Sequence, residues 1–93
     1  MRNGRPQAKD VDTTAFLSVV YDINAGQDSW AMRSDVEDTF NPKFPEKVML
    51  AKADALMRKG LLMGCACGCR GDYVVSRDGC ELLGLPWHGV EGY

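Results

Sequence analysis

The sequence has one histidine and no long apolar run. Its longest apolar stretch, Leu61 to Cys67, is interrupted by Gly64, and a membrane-spanning helix needs about 20 such residues. No basic start leads into an apolar segment, so we expect no signal peptide. We therefore expect a cytoplasmic protein without a membrane partner, in which the cysteines stay reduced.

Residues that carry catalysis are scarce as well. There is no glycine-rich phosphate loop after a strand and no pair of acids spaced for acid–base chemistry. A Cys–His pair would need the lone His88 to lie beside a cysteine, with a third group to orient it. A chain of 93 residues has room for one small core and little for an enclosed active site. The sequence therefore predicts neither an enzyme nor a cofactor.

Charge is unevenly distributed along the chain. The net charge is −2, but residues 1–9 carry +3, residues 10–41 carry −6, residues 42–77 carry +4 and the remainder carries −3. Segregated charge steers a protein toward a polyanion more effectively than the total suggests. The acidic balance thus does not exclude a nucleic-acid partner.

The pattern of apolar residues divides the chain into three parts. Residues 1–9 lack periodicity and predict a flexible basic arm, residues 10–85 predict one α+β domain, and residues 86–93 form a tail that is either a strap or a loose end. The spacing of four apolar residues, Phe16, Val19, Val20 and Ile23, predicts the first helix, and Gly26 can end it in a left-handed cap. A very short strand is expected around Trp30 to Met32.

Two further helices and a hairpin are expected after that strand. Ser34 and Glu37 form a capping box that predicts a helix from Asp35 to near Phe40. The third helix starts near Pro45 and stops at Gly60, where Leu61 can fold back in a Schellman arrangement. Extended stretches at 61–69 and 73–76 then form a β-hairpin, and Ser76 caps a last helix.

This order resembles the winged helix-turn-helix. The likeness is most specific at "LMRKGLL" followed by "DYVVSRDGCELLG", which is similar to the end of the recognition helix and the start of the last helix in MarR- and ArsR-type regulators. Val75 and Ser76 stand where that pattern has leucine and threonine. The stretch "GCACGCRGDY" also resembles small winged-helix proteins of actinobacterial phages. The resemblance implies a transcriptional regulator or a phage accessory factor.

In such a protein the third helix enters the DNA major groove and the hairpin, or wing, contacts the backbone or the minor groove. Met49, Ala53 and Leu56 would then face the core. Arg5 lies in a Gly-Arg-Pro triplet similar to minor-groove-binding arms. Leu50 and Asp54 suit this face less well, because leucine is apolar and a carboxylate repels phosphate, although a carboxylate can accept a hydrogen bond from the amino group of cytosine. The implied contacts to double-stranded DNA are Lys43, Lys47, Lys52, Arg58, Arg70 and Arg5.

Four cysteines raise the alternative of a structural zinc site. Cys65, Cys67, Cys69 and Cys80 are sufficient in number for tetrahedral zinc. Alternate positions on an extended strand, however, lie about 6.6 Å apart, and the usual Cys-x-x-Cys knuckle is absent. Buried reduced cysteines also need no metal, since they pack as small apolar groups. The spacing favours a hairpin over a zinc cage.

A protein partner is the main alternative to DNA. The pI of about 5.2 and the presence of Leu50 and Asp54 on the third helix favour a winged-helix module that binds another protein. A homodimer is a further alternative, with Trp87 and Tyr93 as candidates for pairing. The sequence leaves the operator, the oligomeric state and the choice between these partners open.

Overall fold

Helices and strands follow one another in the predicted order. A computed structural model of the chain describes residues 10–27, 30–40, 44–64 and 72–90. Within these ranges the chain forms a small α+β domain with four helices and a three-stranded antiparallel sheet. The helices are α1 (Thr13–Gln27), α2 (Arg33–Phe40), α3 (Glu46–Arg58) and α4 (Arg77–Leu83); the strands are β1 (Ala31–Met32), β2 (Leu62–Gly64) and β3 (Asp72–Val75).

The ends of α1 and α2 differ from the prediction. The Asp12 carboxylate accepts a hydrogen bond from the Ala15 amide at 2.8 Å and so caps α1. The predicted left-handed cap at Gly26 is wrong, because α1 continues through it to Gln27 and Gly26 is not among the glycines with positive φ. Helix α2 begins at Arg33, two residues before the predicted start, because β1 leads into it directly. Its end at Phe40 is as predicted.

The predicted end of α3 is confirmed in detail. Gly60 has φ of 78°, its amide donates to the Met57 carbonyl at 3.0 Å, and the Leu61 amide donates to the Leu56 carbonyl at 3.0 Å. These two bonds define the Schellman motif. Leu61 therefore leaves the helix in a fixed direction and leads into β2.

The cap of α4 is joined to that helix end. The Ser76 hydroxyl accepts a hydrogen bond from the Gly79 amide at 3.0 Å, which confirms the predicted N-cap. The same hydroxyl donates to the Gly60 carbonyl at 2.6 Å, and the Ser76 amide donates to the Leu61 carbonyl at 3.2 Å. One serine thus holds the end of α3 and the start of α4 together.

Strand β3 lies in the middle of the sheet, in the order β1-β3-β2. Ala31 pairs with Tyr73 and Leu62 pairs with Val75, both in antiparallel register. Strand β1 has only two residues, so it pairs with only the first part of β3 and the rest of that edge of β3 is without a strand partner among the described residues. The side chain of Asn24 from α1 fills this position: its amide nitrogen donates to the Tyr73 carbonyl at 3.2 Å, and its oxygen accepts from the Val75 amide at 3.0 Å.

The core lies between α1, α3 and the sheet. Phe16 is completely buried and packs against Phe40 and Tyr73, with ring centroids 6.2 and 6.1 Å away. Met49 and Leu56 of α3 are buried in the same core. In the part of the chain that the structure describes, no helix is long and apolar enough to cross a membrane.

Candidate nucleic-acid interface

Helix α3 presents one face to the core and one face to solvent. The predicted core positions Met49, Ala53 and Leu56 are at most 1% exposed, which confirms the inward face. On the opposite side, residues spaced i, i+4, i+7 and i+11 form a single row at helical periodicity. We call this row the outward stripe of α3; its members are Lys47, Ala51, Asp54 and Arg58.

The outward stripe carries less positive charge than its two cations suggest. Arg58 Nη2 lies 2.9 Å from Asp54 Oδ2, in an i,i+4 ion pair whose side chains are 79% and 42% exposed. Lys47 is exposed at the other end of the stripe. The four side chains therefore sum to a single positive charge, and Arg58 is neutralised locally in the free protein.

Lys52 does not belong to this surface. It is 8% exposed, and its ammonium nitrogen donates to Thr13 Oγ1 at 2.8 Å. Burial lowers the pKa of Lys52, the nearby charge of Lys59 lowers it further, and Asp12 opposes both effects. The prediction that Lys52 reaches phosphates is therefore corrected: the side chain lies on the inward side of α3, against the start of α1.

Of the other five cations predicted to contact DNA, the structure describes two. Lys47 and Arg58 lie together on the outward stripe, although Arg58 is paired with Asp54. Lys43, Arg70 and Arg5 lie outside the described residues. The half-buried Leu50 adjoins the stripe on α3.

The cysteine hypothesis can be followed at Cys80 alone, because Cys65, Cys67 and Cys69 lie outside the described residues. Cys80 is a free thiol, 3% exposed, and burial raises its pKa. A buried thiol with a raised pKa behaves as a small apolar group. Among residues 10–27, 30–40, 44–64 and 72–90, no group of three His, Cys, Asp or Glu side chains is arranged to hold a metal ion.

The C-terminal segment packs on the domain as a strap. His88 Nδ1 accepts from the Val90 amide at 3.0 Å, so the Nε2–H must be the group that donates to the Val75 carbonyl at 2.7 Å. The Tyr21 hydroxyl donates to the Pro86 carbonyl at 2.7 Å, and Val90 is 7% exposed. His88, the only histidine in the sequence, thus helps to hold residues 86–90 against the domain. A strap was one of the two alternatives that the sequence left open for the tail.

A shallow cleft lies between the strap and α4. The guanidinium of Arg77 lies 4.3 Å from the centroid of the Trp87 ring, which in turn packs on His88 with ring centroids 4.1 Å apart. The cleft has a volume of about 210 Å³. Its lining residues are Arg77, Cys80, Glu81, Leu85 and Trp87. Trp87, proposed above for pairing, is already half-buried in this stack, and Tyr93 lies outside the described residues.

Comparison with models of protein families, with curated proteins and with solved structures finds no match for this chain.

Proposed function

We propose that the chain is a small winged-helix protein that binds double-stranded DNA, as a transcriptional regulator or a phage accessory factor. Helix α3 enters the major groove, while the segment between β2 and β3, which contains Arg70, and the arm containing Arg5 contact the backbone or the minor groove. The outward stripe of α3 carries the proposal, because an exposed helix face backed by a buried one is the surface that such a domain offers to DNA.

The element order supports this proposal. A helix and a short strand precede two successive helices, and a hairpin follows whose second strand lies between the other two. Lys47 and Arg58 are eleven residues apart on one face of α3, which is about 16 Å along the helix. That separation suits cations that contact phosphates on either side of a groove about 12 Å wide.

The test is binding of a random-sequence duplex of 25 base pairs, followed by fluorescence anisotropy from low to moderate salt. We expect affinity to fall linearly with salt on a logarithmic scale, because cation–phosphate contacts release counterions. Lys47→Ala should reduce the slope by roughly 0.9, the value for one lost phosphate contact. Lys52→Met, on the buried side of the same helix, is the matched control and should leave the slope unchanged.

Absence of binding at low salt would exclude DNA as the partner. A second candidate is then a protein that docks on the same helix. The Asp54–Arg58 pair and the half-buried Leu50 favour it, since together they make this surface only weakly basic and partly apolar. In that case Arg58→Glu should abolish binding to the partner, while the free energy of unfolding of the isolated domain falls by no more than about 1 kcal/mol, the scale of an exposed charge pair at a helix end.

A further inference from the structure

We infer that Asp54 is a specificity-determining residue of the α3 surface: it holds Arg58 in the free protein, weakens binding to arbitrary DNA, and selects a cytosine at its own position in the groove. The inference rests on the proposed function, since it concerns how the same helix distinguishes one duplex from another. From its charge alone, Asp54 would be expected only to weaken DNA binding.

Asp54 lies near the middle of the outward stripe, with Ala51 three residues before it and Arg58 four residues after it. Ala51 has no side chain beyond its Cβ, so the helix can approach a groove floor closely at this point. Asp54 is then the polar group that reaches furthest toward base edges at the centre of the stripe.

The ion pair between Asp54 and Arg58 is exposed to solvent. The two side chains are 2.9 Å apart yet 79% and 42% exposed, so water and salt compete for both partners. A pair of this kind is weak enough to exchange when a better partner arrives. DNA offers both replacements at once: a phosphate or guanine edge for Arg58, and the N4 amino group of cytosine for Asp54.

The effect of Asp54 on DNA binding depends on the base that its carboxylate meets. On a duplex without a cytosine at the right position, the Asp54 carboxylate is desolvated without a donor and faces the negative potential of the phosphates. The carboxylate then opposes binding. When Arg58 turns to a phosphate, the ion pair is lost and Asp54 gains no new partner. Where the cytosine is present, both charges find partners, so the same carboxylate contributes to affinity. Asp54 therefore widens the difference between specific and non-specific binding.

The experiment compares the full chain with Asp54→Ala, Asp54→Asn and the control Asp22→Asn, which removes the same charge from an exposed position on α1. Each is measured on random duplexes and by selection from a randomised duplex library at one salt concentration. Both Asp54 variants should bind random duplexes roughly five- to tenfold more tightly, as expected when one repulsive charge is removed. Asp22→Asn should change affinity by less than twofold.

Selection supplies the second readout. The wild-type chain should prefer cytosine at one position, by about five- to hundredfold over other bases, and Asp54→Ala should lose that preference while keeping the rest of the motif. Arg58→Ala should cost more affinity in the Asp54→Ala background than in the wild type, because Arg58 no longer has to leave a carboxylate. This non-additivity reports the pair itself.

The outcomes separate the two proposals. If the wild type binds no duplex at low salt, the proposed function fails and this inference fails with it. If the wild type binds but Asp54→Ala and Asp22→Asn have equal effects, or the cytosine preference survives in Asp54→Ala, then DNA binding stands and the role given to Asp54 is overturned.

Discussion

Two lysines of α3, five residues apart, have opposite environments. Lys47 is exposed on the outward stripe, whereas Lys52 is 8% exposed and bound to Thr13. Burial of an ammonium costs free energy that one hydroxyl acceptor offsets only in part. The lowered pKa of Lys52 expresses that cost.

We therefore expect Lys52→Met to leave the free energy of unfolding at pH 7 unchanged or to raise it, by up to about 1 kcal/mol, as for other buried charges replaced by apolar groups of similar size. The sign of the pH dependence follows from the lowered pKa. Between the folded pKa of Lys52 and its ordinary value of 10.5, the unfolded chain binds more protons, so the wild type gains stability as pH rises.

The difference between Lys52→Met and wild type should accordingly shrink between pH 7 and pH 10 in urea unfolding. A difference that widens, or a variant destabilised by several kcal/mol at pH 7, would contradict this account of the buried ammonium. Lys47→Met serves as the control at the exposed position and should be nearly neutral in stability at both pH values.

Asn24 is the other residue whose role depends on the tertiary structure. Its side chain is fully buried and makes two hydrogen bonds to the backbone of β3. Asn24→Leu would leave the Val75 amide and the Tyr73 carbonyl without these partners inside the protein. At about 1–3 kcal/mol for each unsatisfied buried group, we expect a loss of roughly 2–5 kcal/mol in the free energy of unfolding.

Urea unfolding monitored by circular dichroism measures this loss. Asp22→Leu, on the exposed side of the same helix, is the control and should change stability by no more than about 0.5 kcal/mol. Equal stabilities of the two variants would show that Asn24 does not complete the sheet edge.

Neither role could be predicted from the sequence. An asparagine in a helical pattern and a lysine in an amphipathic one are ordinarily solvated. Asn24 is buried because β1 is only two residues long, and Lys52 is buried because the start of α1 lies against α3. Both causes are contacts between elements far apart along the chain. Propensity and periodicity depend only on residues that are close together in the sequence, so they cannot predict such contacts.

At the scale of elements, the helix ends show what local chemistry can predict. The end of α3 at Gly60 and the start of α4 at Ser76 were correctly predicted, because each is decided by residues within one turn. Gly26 was misinterpreted since a glycine near a helix end permits a left-handed cap without requiring one. The tail was left open because its packing depends on α1 and β3.

Two helical glycines allow the same substitution to be compared in different surroundings. A Cβ at Gly26 would meet nothing within 4 Å, while a Cβ at Gly79 would overlap the carbonyl oxygen of Leu61. Gly26→Ala should therefore stabilise the protein by about 0.4–1 kcal/mol, because alanine reduces the entropy of the unfolded chain. Gly79→Ala should destabilise it by about 1–3 kcal/mol or more, because backbone atoms must move.

Thermal unfolding of the two variants beside the wild type is a sufficient test, with the melting temperature rising for Gly26→Ala and falling for Gly79→Ala. A rise for Gly79→Ala would mean that α4 does not rest on the Leu61 carbonyl as closely as described, and a fall for Gly26→Ala would contradict the gain expected at the open position.

At the scale of the whole molecule, the strap closes the side of the domain formed by α1, β3 and α4. It depends on His88 and Val90 within the strap and on Tyr21, which lies far from them in the sequence. Residues 86–90 thus contribute to the folded domain, which the sequence pattern predicts for residues 10–85.

His88→Ala removes both ring hydrogen bonds and the packing against Trp87, so we expect a loss of about 2–3 kcal/mol in the free energy of unfolding. Tyr21→Phe removes one exposed hydrogen bond and should cost about 0.5–1.5 kcal/mol. Urea unfolding followed by tryptophan fluorescence measures both. An unchanged midpoint for His88→Ala would show that the strap does not stabilise the domain.

The Ser76 hydroxyl has a consequence for local opening. Because it bonds to Gly60 at one helix end and to Gly79 at the start of the next, neither end can fray without breaking a bond of the other. Amide hydrogens on both sides of the hairpin, including those of Leu61 and Ser76, should therefore exchange with solvent in a single cooperative event. The end of α3 and the final helix are thus two parts of one cooperative unit.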